Sequence, residues 1–253
     1  MIVGNMKPLE EIVDSLSGFR KVLIIGCGSC VTVCLSGGDR EARQLALELS
    51  RSSAFAGSPP VFAVDTIIRQ CERDLVSAYQ ALSEGTEAIL SLACGCGVQT
   101  LGDVFEPLPV IPALNTTFYG ASSEAGVWQE VCQGCGDCML SYTGGICPVA
   151  RCAKSLFNGP CGGSQNGNCE IYADVPCAWA LIYYRLKKQN KLHLLHTVRQ
   201  PRDWRPAGGA GPRVRRRTGI GGGPGQNNLH ESVYETRYAQ IFRVGKEESH
   251  GEH

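Results

Sequence analysis

Eight cysteines fall within 46 residues of this chain: Cys132, Cys135, Cys138, Cys147, Cys152, Cys161, Cys169 and Cys177, with no histidine among them. Thiolates held at that density repel one another unless a cation neutralises them. The sequence between them, with TGGICP and NGPCGGSQNGNCE, is rich in Gly and Asn and poor in helical or strand periodicity. Burial alone does not offset the conformational entropy of ordering such a stretch. Metal ligation is expected to supply the missing folding free energy.

A second group lies upstream. Cys27, Cys30 and Cys34 stand in GCGSCVTVC, and Cys94 and Cys96 in LACGCG. The chain has 253 residues and 14 cysteines. MIVGNMKPLEEIVDSL carries acidic residues and a helical period, unlike a signal peptide. No apolar run approaches the roughly 18–20 residues that span a bilayer. A cytoplasmic location is therefore expected, where close cysteines are metal ligands or redox centres more often than disulfides. Lys+Arg and Asp+Glu both number 24, so overall charge points to neither nucleic acid nor membrane.

The type of metal follows from spacing. Cys132, Cys135 and Cys138 form C-x2-C-x2-C, and a Cys-Pro follows at Cys147, as in bacterial ferredoxin ligation. Zinc more often closes its tetrahedron from two separate C-x2-C pairs. All five histidines lie at position 193 or later, which disfavours a mixed Cys/His zinc site. The fourth ligand is Cys147 or Cys152. The remaining one of that pair, with Cys161, Cys169 and Cys177, can build a second site, either another cluster or a four-cysteine zinc. Cys177 is expected in the first turn of a helix, whose positive end favours a thiolate.

The surrounding elements set the fold class. Residues 1–18 read as a short amphipathic helix. KVLIIGC reads as a buried strand. Asp39 is expected to cap a helix with Ala42, Leu45, Ala46 and Leu49 on one face. SPPVFAVD reads as a turn and second strand. Thr66 is expected to cap a helix with Ile68, Cys71, Leu75, Ala78 and Leu82 on one stripe. EAILSLAC is a third strand, and PVIPAL holds a fourth. The pattern predicts an α/β fold, a small parallel Rossmann/flavodoxin-like sheet over residues 1–126. An irregular cysteine-rich metal-cluster module with a terminal helix, CAWALIYYRLKK, follows over 127–192. Residues 193–253 read as an extended Gly/Pro/Arg-rich C-terminal tail.

Ligands of α/β sheets sit beyond the carboxyl ends of the strands. Cys27 and Cys94 are expected at two such ends, and right-handed crossovers bring those ends side by side. The upstream ligands are then Cys27, Cys30, Cys34 and Cys94, with Cys96 a spare thiol. Cys71 fits a buried core thiol and a ligand equally. GCGSC follows a strand, but it lacks G-x-G-x-x-G spacing, so it does not read as a dinucleotide loop. Arg213, Arg215, Arg216 and Arg217 read as a solvated basic linker or a contact for an acidic protein. A thiol–disulfide enzyme using one C-x2-C pair is a weaker reading, because so many other cysteines surround each pair.

Taken together, GCGSCVTVCLSGGDRE, IIRQCE, LACGCGVQT, CGDC, TGGICPVARCAKSLFNGPCGGSQNGNCE and CAWALIYYRL resemble the MetV-type subunit of bacterial methylenetetrahydrofolate reductases over roughly residues 15–190. That domain is also called the methylenetetrahydrofolate reductase C-terminal domain. The resemblance implies a non-catalytic electron-transfer subunit in one-carbon metabolism, the methyl branch of the Wood–Ljungdahl pathway. It implies at least two [4Fe-4S] clusters, with zinc an option in one four-cysteine site. It implies a MetF-type flavoprotein partner that alone holds the flavin. The implied electron donor is ferredoxin or a hydrogenase- or heterodisulfide-reductase-like assembly. The alternative is a non-redox adaptor, stiffened by zinc, that assembles or activates the flavin subunit. Cys94-Gly-Cys96 departs from the single cysteine expected there. The tail is expected to wrap a partner subunit.

Overall fold

The computed structural model of the chain describes residues 1–55, 58–201 and 204. The tail expected over 193–253 lies almost wholly outside them, as do the four arginines at 213–217.

Four strands form a parallel sheet: β2 (Lys21–Cys27), β3 (Val61–Ile67), β4 (Ala88–Leu92) and β5 (Val110–Pro112), in the order β3-β2-β4-β5. Three of them are the strands read from KVLIIGC, PPVFAVD and EAILSLAC, and the fourth falls within PVIPAL. The six residues of β2 after Lys21 are all buried, as expected of a strand covered on both faces. Alternate residues feed two separate cores. Val22, Ile24, Leu90 and Leu92 pack with Ile12 and Leu16 on one side, against Ala42, Leu45 and Leu49 of α3 (Asp39–Ser50). Leu23, Ile25 and Ile89 pack on the other side against Val76, and against Leu101 and Phe105 of α5 (Gly95–Phe105). The apolar stripe predicted for α3 is its buried face.

Three local expectations are corrected. Residues 1–18 are not one helix: β1 (Ile2–Met6) precedes α1 (Leu9–Ser15). β1 pairs antiparallel with β6 (Leu114–Glu124), which pairs with β7 (Val127–Cys132), making a second, three-stranded sheet. This pairing joins segments over a hundred residues apart, and it overrides the local helical period. The cap of α3 is Gly38, whose N–H donates to Glu41 Oε2 at 2.9 Å, while Asp39 is the first helical residue. Thr66 caps no helix. β3 continues through it to Ile67 in register with Cys27, and the Thr66 hydroxyl donates to Asp39 Oδ1 at 3.1 Å. The next helix, α4, spans only Arg73–Ser77.

The second sheet meets the carboxyl end of the first. Val3 of β1 and Leu114 of β6 are buried with Cys27, Val31, Cys34 and Ala93. Beyond β7 the described residues are mostly loop, apart from the helices α6 (Pro148–Arg151) and α7 (Ala178–Lys188) and a short turn of 3-10 helix at Leu192–His196. Ile146, Trp179, Ile182 and Leu186 form the apolar centre of this region. Among the described residues no helix is long and apolar enough to cross a membrane.

Candidate metal centre

The sheet order reverses between β2 and β4, which pair in parallel from Val22↔Ala88 to Gly26↔Leu92. Such a reversal opens a crevice beyond the strand ends. Cys27 ends β2, Cys30 begins the short helix α2 (Cys30–Val33), and Cys94 is the N-cap of α5. Close backbone packing draws the loops together. Gly28 N–H donates to the Ile67 carbonyl at 2.9 Å, and the Ser29 hydroxyl donates to the Ile68 carbonyl at 3.3 Å. A Cβ on Gly97 would meet Ala93 Cβ at 2.7 Å and Gln70 Cβ at 2.9 Å, so only glycine allows this approach of α5 to the loop after β3.

Cys71 stands in that loop, exposed and before α4, not on a helical stripe. Partial burial pushes its thiol up to about 11, and the nearby Cys27 and Cys94 thiols add to the shift. Burial also raises Cys27, with Cys94 and Cys30 adding, against the backbone N–H groups of Gln70 and Ser29. Cys96 is raised by burial and then by Cys94 and Cys30. Five thiols thus sense one another: Cys27, Cys30, Cys71, Cys94 and Cys96. Cys34 packs with Cys27 in the adjoining apolar cluster. It is buried, its sulfur 3.1 Å from Ser36 Oγ and within 3.9 Å of the Val31 and Ile2 carbonyls. Its surroundings are those of a small core side chain.

The downstream cysteines separate into two sets. β7 ends at Cys132, the register partner of Tyr119, and the following loop carries Cys135 and Cys138. Cys147, the N-cap of α6, closes the set. These four thiols line one cavity of about 260 Å³, whose other walls include Val131, Met139, Leu140 and Val149. Spacing left Cys147 and Cys152 as alternatives for the fourth position; Cys147 is the one that lines this cavity.

Cys152, Cys161, Cys169 and Cys177 line the other cavity, of only about 20 Å³. Cys152 is the C-cap of α6 and Cys177 the N-cap of α7, not a first-turn residue. Lys154 and Glu170 form an ion pair at the rim. Backbone N–H groups of Tyr172 and Ile171 hold the Cys169 thiol below its ordinary range. A Cβ on Gly163 would collide with the Glu170 carboxylate, so any larger residue there must displace that side chain.

Both sets use the same backbone device. Gly134 N–H points at Cys132 Sγ and Gly163 N–H at Cys161 Sγ, each at 3.4 Å. A cysteine followed two residues later by glycine is its visible sequence signal. Among the described residues, no three His, Cys, Asp or Glu side chains stand close enough to close around one ion. A zinc ion needs its thiolates about 2.3 Å from itself, whereas a multi-iron cluster spreads its ligands over a larger body. The wider, apolar, 260 Å³ cavity accommodates such a body. The 20 Å³ cavity has room for about one water-sized sphere, which suits a single ion once its thiols draw in.

No curated protein and no solved structure matches the chain. Residues 111–205 match the family described as methylene-tetrahydrofolate reductase C terminal. That span holds both downstream cysteine sets, and over it the chain is similar to the methylene-tetrahydrofolate reductase C-terminal family that its motifs resemble.

Proposed function

We propose that this chain is the iron–sulfur electron-transfer subunit of a methylenetetrahydrofolate reductase complex. The single observation that carries the reading is the convergence of Cys132, Cys135, Cys138 and Cys147 on one apolar-walled cavity of about 260 Å³. When bound there, a [4Fe-4S] cluster supplies one-electron uptake and release. The residues of this chain hold and tune that site. The Gly134 N–H offers a hydrogen bond to the Cys132 sulfur, a contact that stabilises added negative charge. Val131, Met139 and Val149 give it an apolar wall.

A second cluster belongs to the upstream crevice, on Cys27, Cys30 and Cys94, with Cys71 or Cys96 completing the set. Cys34 leaves the ligand list proposed from spacing. The backbone N–H groups of Gln70 and Ser29 face the Cys27 sulfur and act as Gly134 does downstream. The flavin that reduces methylene-tetrahydrofolate is assigned to a MetF-type partner, and the electron donor to ferredoxin or a hydrogenase- or heterodisulfide-reductase-like assembly.

The zinc-adaptor reading keeps one specific support, the 20 Å³ cavity of Cys152, Cys161, Cys169 and Cys177. We assign a structural zinc to that set within the electron-transfer subunit. Iron, sulfide and zinc counts on anaerobically purified protein test the whole. Iron and sulfide for two clusters, with one zinc, support it. A colourless, iron-free preparation that still sustains turnover of the flavoprotein removes the electron-transfer reading and leaves the adaptor.

A further inference from the structure

A third cavity, larger than either downstream thiol cavity, is lined by no cysteine. It measures about 460 Å³, within the size range of small-molecule sites. Its walls include the rings of Tyr142, Phe157, Trp179 and Tyr183, with Arg199 at one edge. The segments that contribute them are far apart in sequence and are fixed independently. The Trp179 indole N–H donates to the Leu156 carbonyl at 3.0 Å. Asn158 exchanges two hydrogen bonds with the Arg199 backbone, at 2.8 and 2.9 Å. The Arg199 guanidinium lies 4.6 Å from the centre of the Tyr142 ring and 3.8 Å from Asp137 Oδ2.

We propose that this cavity is a binding site for a planar, fused-ring heteroaromatic ligand, of which an isoalloxazine is a suitable probe. Aromatic walls favour a flat ring over an aliphatic chain of equal area, because offset and edge-to-face contacts add to burial. The hydroxyls of Tyr142 and Tyr183 make no hydrogen bond to the described residues, so they are free to meet ring nitrogens and carbonyls. A guanidinium already over a phenol ring adds to the contact surface and answers a ligand charge. Asp137 offsets part of the Arg199 charge.

The location adds a reason for such a site. Met139 lines both this cavity and the one holding Cys132, Cys135, Cys138 and Cys147. The proposal does not depend on which metal they hold. It adds a site on this chain to the flavin expected in the partner.

The test titrates the full-length, metal-loaded chain with riboflavin and with FMN, reading quenching of flavin fluorescence. Saturable quenching with a Kd below about 1 mM is expected. Tyr183→Leu, at a half-exposed position, and Tyr142→Leu should each raise that Kd at least tenfold, with metal content and Tm unchanged. FMN binding more tightly than riboflavin would assign Arg199 to the phosphate; equal binding would assign recognition to the ring alone. No saturable quenching by either flavin up to about 1 mM, or variants that bind like the wild type, overturns the proposal.

Discussion

The Ser91 hydroxyl donates to the Gln70 carboxamide oxygen at 2.6 Å, and both residues are fully buried. Gln70 Nε2 in turn donates to the Ile25 carbonyl at 2.9 Å. One side chain therefore ties the loop after β3 to β2 and β4, directly beneath Cys27 and Cys94. Gln70→Leu should leave two buried polar groups without partners, at a cost of about 1–3 kcal/mol each. The measurement is the denaturant midpoint of the purified chain. A midpoint equal to wild type would remove Gln70 as the clamp.

The upstream ligand set should separate by variant. Cys94→Ala is expected to lower bound iron by about one cluster, and so is one of Cys71→Ala and Cys96→Ala. Cys34→Ala should retain it, because its sulfur is committed to Ser36 and to backbone carbonyls. Iron and sulfide per chain decide this. Loss of a cluster in Cys34→Ala with full retention in both Cys71→Ala and Cys96→Ala would restore the ligand list that spacing suggests.

Two thiols should titrate in opposite directions in metal-stripped protein. Cys71 is pushed up to about 11 from 9.0, so its alkylation by iodoacetamide should stay slow at pH 9 and accelerate toward pH 11. Cys169 is lowered, so it should react below pH 9. The folded state keeps its proton on Cys71 where the unfolded chain has lost it. Stability from this group is therefore complete below pH 9.0 and declines as pH rises from 9.0 toward about 11. Mass spectrometry of labelled peptides over that range checks both.

Gly163→Ala should force Glu170 away from Lys154 and from the Cys161 sulfur, which it approaches at 3.4 Å. The cost comes from the loss of those two contacts at the cavity rim. The expected readout is faster proteolysis within residues 152–177 and loss of zinc, with iron unchanged. Loss of iron instead would reverse the assignment of the two downstream cavities.

The sheet was legible because its strands are continuous apolar runs and α3 repeats its apolar residues at helical spacing. β1 was hidden because its partners lie in β6, over a hundred residues on, and LEEIVDSL nearby carries a helical rhythm. Cys71 was ambiguous because the strand continues through Thr66, where capping chemistry suggested a helix start, and this shifts every later residue. The choice of Cys147 over Cys152 depended on α6, a single turn that sends its two ends into different cavities. Spacing carries no such information. Gln70 gave no signal at all, since a buried glutamine is recognisable only through the partners it meets.

Helix α7 is capped by Cys177 and carries Trp179 in its first turn, where the indole forms a wall of the 20 Å³ cavity and of the 460 Å³ cavity. A shared partition cannot shift for one chamber alone. Whatever draws the four thiols inward also resets the dimensions of the neighbouring aromatic room, so occupancy of either space becomes a boundary condition on the other.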